Sequence, residues 1–256
     1  MPYLIRCARL AVFVVILASG LSPALAQGGP PMITDDPGTP GPGKWEINLG
    51  WTTQRVPGAT LSGLPQLDAN YGIGKRVELA YAVSCLRLKN SGESSHWGAS
   101  ESEFGVKWRF YDAGEDGLQV SMCPAVSLLT PGTHSDRRGL ADEGGSWQLP
   151  FQFEKDFEIF SVNVDVGRVF AWGGEEDAWF GGICIGREVV KGWELDAEIH
   201  CNADKGLSHK EWLVNAGLRI DLSDHSKLML ALGRDLSNQL DPRISLMSYA
   251  GIQLLF

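Results

Sequence analysis

The chain has 256 residues, 44% of them hydrophobic, and 22 Lys and Arg stand against 31 Asp and Glu for a formal net charge of −9. That charge, carried without a basic block, argues against nucleic-acid binding, and the aromatic and apolar content argues against disorder. Five cysteines are too few for a disulfide scaffold of this length, and beyond the first thirty residues no apolar run reaches the ~18 residues of a membrane helix.

The first segment reads as an address. Arg6 and Arg9 precede an apolar stretch from Leu10 to Leu21. Pro23 breaks that stretch, and Ala24-Leu25-Ala26 offers small residues for cleavage before Gln27. The pattern predicts a Sec signal peptide over residues 1–26. Cleavage removes two arginines and no acid, so the mature chain is more negative still. Cys7 leaves with the peptide, while Cys85, Cys123, Cys184 and Cys201 remain. An oxidising compartment lets disulfides form, but the spacing shows no CxxC or metal pattern and selects no pair.

Residues 27–43, QGGPPMITDDPGTPGPG, are too rich in Gly and Pro for a helix or a central strand. They predict an extended periplasmic arm. From Lys44 a period of two takes over. Trp45, Ile47, Leu49 and Trp51 alternate with Glu46, Asn48, Gly50 and Thr52, which places the two sets on opposite faces of a strand. The same pattern recurs around Leu67–Ile73, Val77–Val83, Phe104–Phe110, Leu118–Val126, Trp147–Phe153 and Phe160–Val166. It weakens at Trp179–Ile185, where both faces are small or apolar. It returns at Trp193–Ile199, Trp212–Ile220, Leu228–Leu232 and Ile244–Phe256.

These are twelve candidate strands, most of them near the ~9–11 residues that a tilted strand needs to cross a bilayer. Connections after even-numbered strands are short, and those after odd-numbered strands are mostly longer; Arg87–Ser100 and Leu129–Gly145 are the longest. Short turns on one rim and long loops on the other are the arrangement of outer-membrane barrels. A soluble sandwich also alternates. Against it stand the charged polar faces, costly in a dry core and cheap beside a wet lumen, and the Trp residues gathered near strand ends as in an aromatic girdle. The fold predicted over 44–256 is all-β: a closed antiparallel transmembrane β-barrel of twelve strands, in single copy, surrounded by outer-membrane lipid.

Two resemblances add to this. Tyr249-Ala-Gly251-Ile-Gln-Leu254-Leu-Phe256 resembles the terminal signal read by the barrel-assembly machinery: a polar residue, Gly, then alternating hydrophobics up to an aromatic. The second rests on Gly29-Pro-Pro-Met-Ile-Thr34-Asp35-Asp36-Pro37, Gly43-Lys-Trp45-Glu46-Ile47, Phe104-Gly105-Val-Lys107-Trp108-Arg109-Phe110 and Pro124-Ala-Val-Ser-Leu-Leu-Thr130-Pro131-Gly132. These are similar to the transporter-like outer-membrane family named for the MetA pathway of phenol degradation. The similarity is clearest over the first half of the mature chain. Leu129-Thr130-Pro131-Gly132 departs from that family's Pro-Thr-Gly. The resemblance implies passage of aromatic or other hydrophobic compounds.

Three polar groupings are candidates for function. Asp35 and Asp36 either fold into the lumen and pair with Arg76, Lys107 or Arg109 as a plug or gate, or form a simple Asx turn before Pro37. Glu46, Asn48, Asp68, Asn70, Glu103, Glu194, Asp196, Glu198, His200 and Arg219 are expected to line the lumen. Glu194, Asp196, Glu198 and His200 share one strand face at steps of about 6.6–6.8 Å, too long to chelate one ion easily, so no metal or other cofactor is expected. A charge lattice answered by Arg219 is the simpler account. Ser208 and His209 lie in a loop near His200, but no GxSxG is present, and the chain is not read as an enzyme.

The function expected is passive passage of small solutes, hydrophobic or aromatic if the family resemblance holds. Two alternatives stay open: a closed structural or interaction barrel binding through its long loops, and an outer-membrane hydrolase. If the barrel opens sideways, the weak strand at Gly181-Gly182-Ile183-Cys184 is the expected place.

Overall fold

The structure, a computed structural model, describes residues 28–114, 117–141, 144–173 and 176–256. The predicted signal peptide lies outside the described residues. Fourteen β-segments follow one another: β1 (Trp45–Val56), β2 (Ala59–Ile73), β3 (Val77–Asn90), β4 (His96–Ala99), β5 (Glu101–Asp112), β6 (Leu118–Met122), β7 (Ala125–Leu129), β8 (Gly145–Asp156), β9 (Ser161–Trp172), β10 (Ala178–Val190), β11 (Trp193–Asp204), β12 (Lys210–Ser223), β13 (Ser226–Asn238) and β14 (Leu246–Leu255).

They make twelve barrel staves. β4 and β5 both pair with β3, so they are one stave interrupted at Ser100. β6 and β7 both lie between β5 and β8, one stave broken at Cys123-Pro124. Pro124 has no N–H to give to a ladder, which is why the pairing halts there. The gap is bridged by Cys123 N–H donating to the Pro150 carbonyl (3.3 Å) and Val106 N–H donating to the Pro124 carbonyl (3.0 Å).

Every pairing is antiparallel, and β1 pairs β14 from Glu46↔Leu255 to Arg55↔Leu246, which closes the cylinder. Beyond that seam, Trp45 N–H donates to the Phe256 carbonyl (2.6 Å) and Phe256 N–H donates back to Trp45 (3.1 Å). Closure leaves no sheet edge, the condition hydrocarbon imposes on any strand that crosses it.

The interior is inverted relative to a soluble protein. Among the described residues, 24 polar or charged residues are buried and only 9 apolar ones. Asn48, Lys107, Gln152, Asp165, Glu194 and Gln253 are buried, while their strand neighbours Leu49, Trp108, Phe151, Val166, Leu195 and Ile252 are exposed. The exposed set forms an apolar belt bounded by aromatics. Trp45 packs on Tyr71 (centroids 4.8 Å) and Trp108 on Phe110 (5.7 Å) toward the short-turn rim. Trp147 stacks on Phe170 (4.3 Å) toward the other. This outer face is built for lipid.

Three expectations about connections change. The first connection on the long-loop rim is only Pro57-Gly58. The stretch Arg87–Ser100 is mostly strand, because β3 runs on to Asn90 and β4 pairs back onto it, leaving residues 91–95 as the turn. The ladder at Gly181–Cys184 is unbroken on both sides, with Gly182 paired to Asp165 and to His200, so the small residues there do not open a gap.

The belt makes a direct prediction. Ile183 lies mid-strand on the outer face, 46% exposed. Ile183→Arg is expected to lower folding stability in lipid vesicles by about 2–4 kcal/mol in urea titrations. An unchanged midpoint would show that this face does not meet hydrocarbon.

Candidate functional site

Residues 28–43 do not hang below the barrel; the arm folds up inside it. The chain leaves β1 at Lys44 and holds the short-turn rim through Gly43 N–H to the Gly72 carbonyl (2.9 Å) and Gly72 N–H to the Lys44 carbonyl (3.0 Å). Further in, residues 28–36 form a tight loop. Gly29 N–H donates to the Thr34 carbonyl (2.9 Å), Met32 N–H donates to the Gly29 carbonyl (2.9 Å), and Asp36 accepts from Gly28 N–H (2.5 Å) and Gly38 N–H (2.5 Å).

Four wall side chains grip this loop. On β11, Glu198 accepts from Ile33 N–H (3.0 Å) and Thr34 N–H (2.5 Å), while its other oxygen takes Asn215 of β12 (3.3 Å). On β12, Arg219 donates to the carbonyls of Gly28 (3.4 Å), Gly29 (3.1 Å) and Pro30 (3.4 Å). Its other nitrogen binds Asp196 (2.7 Å) and Glu194 (3.5 Å). Across the lumen, Lys107 of β5 meets Asp35 at 3.0 Å, and Gln152 of β8 donates to the same oxygen (2.6 Å). Met32 is the arm's long apolar anchor, buried against Cys184 and Ala231 with Tyr249 alongside, and Pro31 and Pro37 are buried as well.

Glycines in the wall make room for these contacts. A Cβ at Gly182 would collide with Thr34 Oγ1 and lie 2.7 Å from His200 Nδ1. A Cβ at Gly217 would collide with the Met32 methyl, and one at Gly72 with the Gly41 carbonyl. The barrel therefore lacks side chains where the arm passes closest.

Of the groups expected to plug the lumen, Asp35 and Lys107 meet. Asp36 does not join a base; it caps the arm's own backbone, the Asx-turn role. Arg76 is exposed on the short-turn rim, where its carbonyl accepts Arg109 N–H (2.8 Å). The Arg109 guanidinium is held at that rim by Gln119 (2.6 Å), the Lys75 carbonyl (2.8 Å) and Asp112 (3.5 Å), which keeps it off both arm carboxylates.

The expected lining residues divide into two groups. Glu194, Asp196, Glu198 and Arg219 form the socket just described. Glu46, Asp68, Asn70, Glu103 and His200 line a cavity of about 850 Å³ beside the arm, and Asn48, between them, donates to Glu46 (3.2 Å) and Asp68 (3.2 Å).

Of the terminal segment, Tyr249 turns its ring over Gly50 and Gly251, which face each other across the β1–β14 seam. Leu254 pairs with Ile47, and Phe256 is exposed. Among the described residues the four cysteines are free and no His, Cys, Asp and Glu cluster is arranged to hold a metal. Ser208 and His209 lie in a turn gathered by Asp204, which accepts from Ser208 N–H (2.7 Å) and contacts His209 Nδ1 (2.8 Å). His200 is buried in the lumen wall.

The residues missed from sequence were Thr34, Gln152, Glu154 and Asp165, and the glycines 72, 182 and 217. The first four sit on predicted strands or arm as ordinary polar residues. Nothing in an isolated Gly announces that a second segment lies against it.

No family model and no curated protein sequence matches the chain. Solved structures do. The COG4313 outer membrane channel from Pseudomonas putida F1 superposes with a TM-score of 0.69 at 13% identity, over 93% of this chain and 99% of that one. The KdgM porin in complex with disordered oligogalacturonate gives 0.54 at 10% identity over 82% and 99%. The NanC porin gives 0.57 at 6% identity over 81% and 98%. The fold shared is the outer-membrane β-barrel.

A larger residue at Gly182 is expected to evict Thr34. In a background lacking the four native cysteines, Thr34→Cys should react with a maleimide at least about tenfold faster when Gly182→Leu is added, a shift of roughly 1.4 kcal/mol in the seating equilibrium. Equal rates would show that the arm does not press on this part of the wall.

Proposed function

We propose that this protein is an outer-membrane channel for passive passage of small solutes, and that the arm is its plug. The observation that carries the reading is the combination of a lipid-facing exterior with a polar lumen whose cross-section is occupied by residues 28–36. A structural barrel has no need of a wet interior, and its lumen would be filled more stably by wall side chains than by a separate segment. Here the segment is held mainly by hydrogen bonds and ion pairs that water can replace, with Met32 as its one long apolar anchor beside the buried Pro31 and Pro37. The similarity of the fold to outer-membrane channels and porins supports the location and the class. The likeness to the family named for phenol degradation supports aromatic compounds as the solute.

The closed-scaffold alternative draws support from the same plug, since a seated arm leaves no wide path. Conductance separates the two. In planar bilayers the mature chain is expected to be nearly silent, and a version lacking residues 27–43 is expected to conduct. If neither conducts, the barrel is a scaffold and the channel reading fails.

A point substitution tests the plug without removing the segment. Lys107→Met leaves Asp35 and Glu78 without their cation in a buried setting, where losing one partner of a charge pair is strongly unfavourable. Its open probability is expected to rise at least about tenfold over the mature chain. An unchanged trace would remove the Lys107–Asp35 bridge from the gating scheme.

A further inference from the structure

The cavity beside the arm has an uneven charge and an uneven polarity. Eight carboxylates line it against three basic side chains, Lys107, Arg109 and Lys227. Those three are already engaged: Lys107 with Asp35, Arg109 with Asp112 and Lys227 with Asp221. Most of the carboxylates have hydrogen bonds from the wall; Glu103, for example, accepts from Ser127 (3.1 Å) and Gln148 (3.2 Å).

Glu154 differs. It is 7% exposed, it borders the cavity, and among the described residues no hydrogen bond or ion pair engages its carboxylate. Glu78 on β3, which also lines the cavity and is 5% exposed, has a long contact to Lys107 at 3.8 Å, a cation that Asp35 holds more closely. A buried carboxylate without a partner is costly and attracts any cation that can reach it.

One side of the opposite end of the cavity is apolar. Glu78 is the second residue of β3 and Glu154 lies two residues from the end of β8, both near the short-turn rim. Toward the loop rim Pro150, Val169, Ala178 and Phe180 form an apolar strip across β8, β9 and β10, beside the polar Glu103, Gln148, His200 and Asn202. Phe180 turns its ring across Gly167 toward Pro150, where a Cβ on Gly167 would collide with the ring, and its face stacks toward His200 (centroids 6.3 Å). Glu154 on β8 and the apolar strip over β8, β9 and β10 thus lie along one side of the cavity, Glu154 nearer the short-turn rim.

We infer that this cavity binds an organic cation with an apolar body, an arylalkylammonium: the ammonium at Glu154, the ring toward Phe180 and Val169. The inference rests on the channel reading of the lumen and specifies its solute as charged where the family likeness implies only aromatic. Neutral aromatics satisfy the apolar strip but leave Glu154 unanswered. Aromatic carboxylates add a charge of the wrong sign to an acidic cavity. A bare metal ion would need ligand spacing that the described residues do not offer, and it would leave the apolar strip unused.

The test is isothermal titration of the detergent-solubilised mature chain with phenethylammonium, 2-phenylethanol and phenylacetate, ring-matched and differing in charge. The ammonium is expected to bind at least about tenfold more tightly than either of the others, and to weaken with added salt. Glu154→Gln is expected to reduce ammonium affinity about tenfold, and Phe180→Ala to reduce it with the salt dependence unchanged. Heat-modifiable gel migration confirms that each variant is folded. Equal binding of the three probes, no binding of the ammonium, or indifference to Glu154→Gln overturns the inference. Conductance of the version lacking residues 27–43 is measured alongside. A conducting barrel that ignores the ammonium sinks this proposal and leaves the channel. A silent barrel whose mature form still binds the ammonium sinks the channel and leaves the site.

Discussion

The constraint behind this structure is that hydrocarbon cannot hydrogen-bond a backbone. A strand that enters lipid must give every N–H and C=O to a neighbour, so the sheet must close, and β1 must find β14. Closure then dictates the rest. With lipid outside, apolar side chains gain nothing by pointing inward, and the polar half of each alternating strand is confined to the lumen. Asn48, Gln152, Asn163 and Gln253 are buried for this reason and not because of any intrinsic preference. Charges follow the same path: Glu194, Asp196 and Glu198 would be ruinous in a dry core, and here they become a wall that needs answering.

How that wall is answered decides whether the lumen is a scaffold or a passage. Arg219 satisfies two carboxylates from its own neighbouring strand, yet its remaining nitrogen reaches three carbonyls of the arm. Glu198 likewise spends its acceptors on arm N–H groups. The wall is therefore complete only when the arm is present or when water replaces it. Water can do so at modest net cost, because a typical hydrogen bond contributes only about 0.5–1.5 kcal/mol net when exchanged for one to solvent. A plug built mainly of such bonds is separable from its barrel in a way that a plug of packed leucines would not be.

Much of this was legible in the sequence because the outside–inside contrast has period two and survives along whole strands. The number of staves, the direction of both faces and the short-turn rim follow from that pattern, whereas charge narrowed the partners of Asp35 and Asp36 only to Arg76, Lys107 or Arg109, with an Asx turn as the alternative. The features that escaped have other origins. The break at Cys123-Pro124 preserves side-chain parity, so alternation runs through it unmarked. Residues 87–100 looked like a loop because Ser, Gly and charges dominate, yet β4 folds back onto β3 by backbone pairing that ignores those side chains. Arg109 shares a strand face with Lys107, but lies one step nearer the rim, where Gln119, Asp112 and the Lys75 carbonyl satisfy it first. Gly181–Cys184 read as a weak strand, and its glycines instead mark the approach of the arm to a fully paired ladder.

That last contrast bears on how the arm is positioned. Attraction alone would not place it, since carboxylates and donors are spread around the whole lumen. Steric exclusion does. Gly72, Gly182 and Gly217 leave the wall backbone bare, and these positions lie against Gly41, Thr34 and Met32 in turn. The three vacancies define a track, the charged groups of β5, β11 and β12 hold the segment once it is on that track, and Met32 provides a long apolar stop. Because one volume is divided between arm and cavity, withdrawing the arm enlarges the lumen and at the same time frees Lys107 and Arg219 from their arm contacts. Lys107 would then be left to Glu78 and Arg219 to Asp196 and Glu194, which lowers the unanswered acidity of the open path. If the arm is the plug proposed here, opening and charge compensation are one event that involves the same side chains.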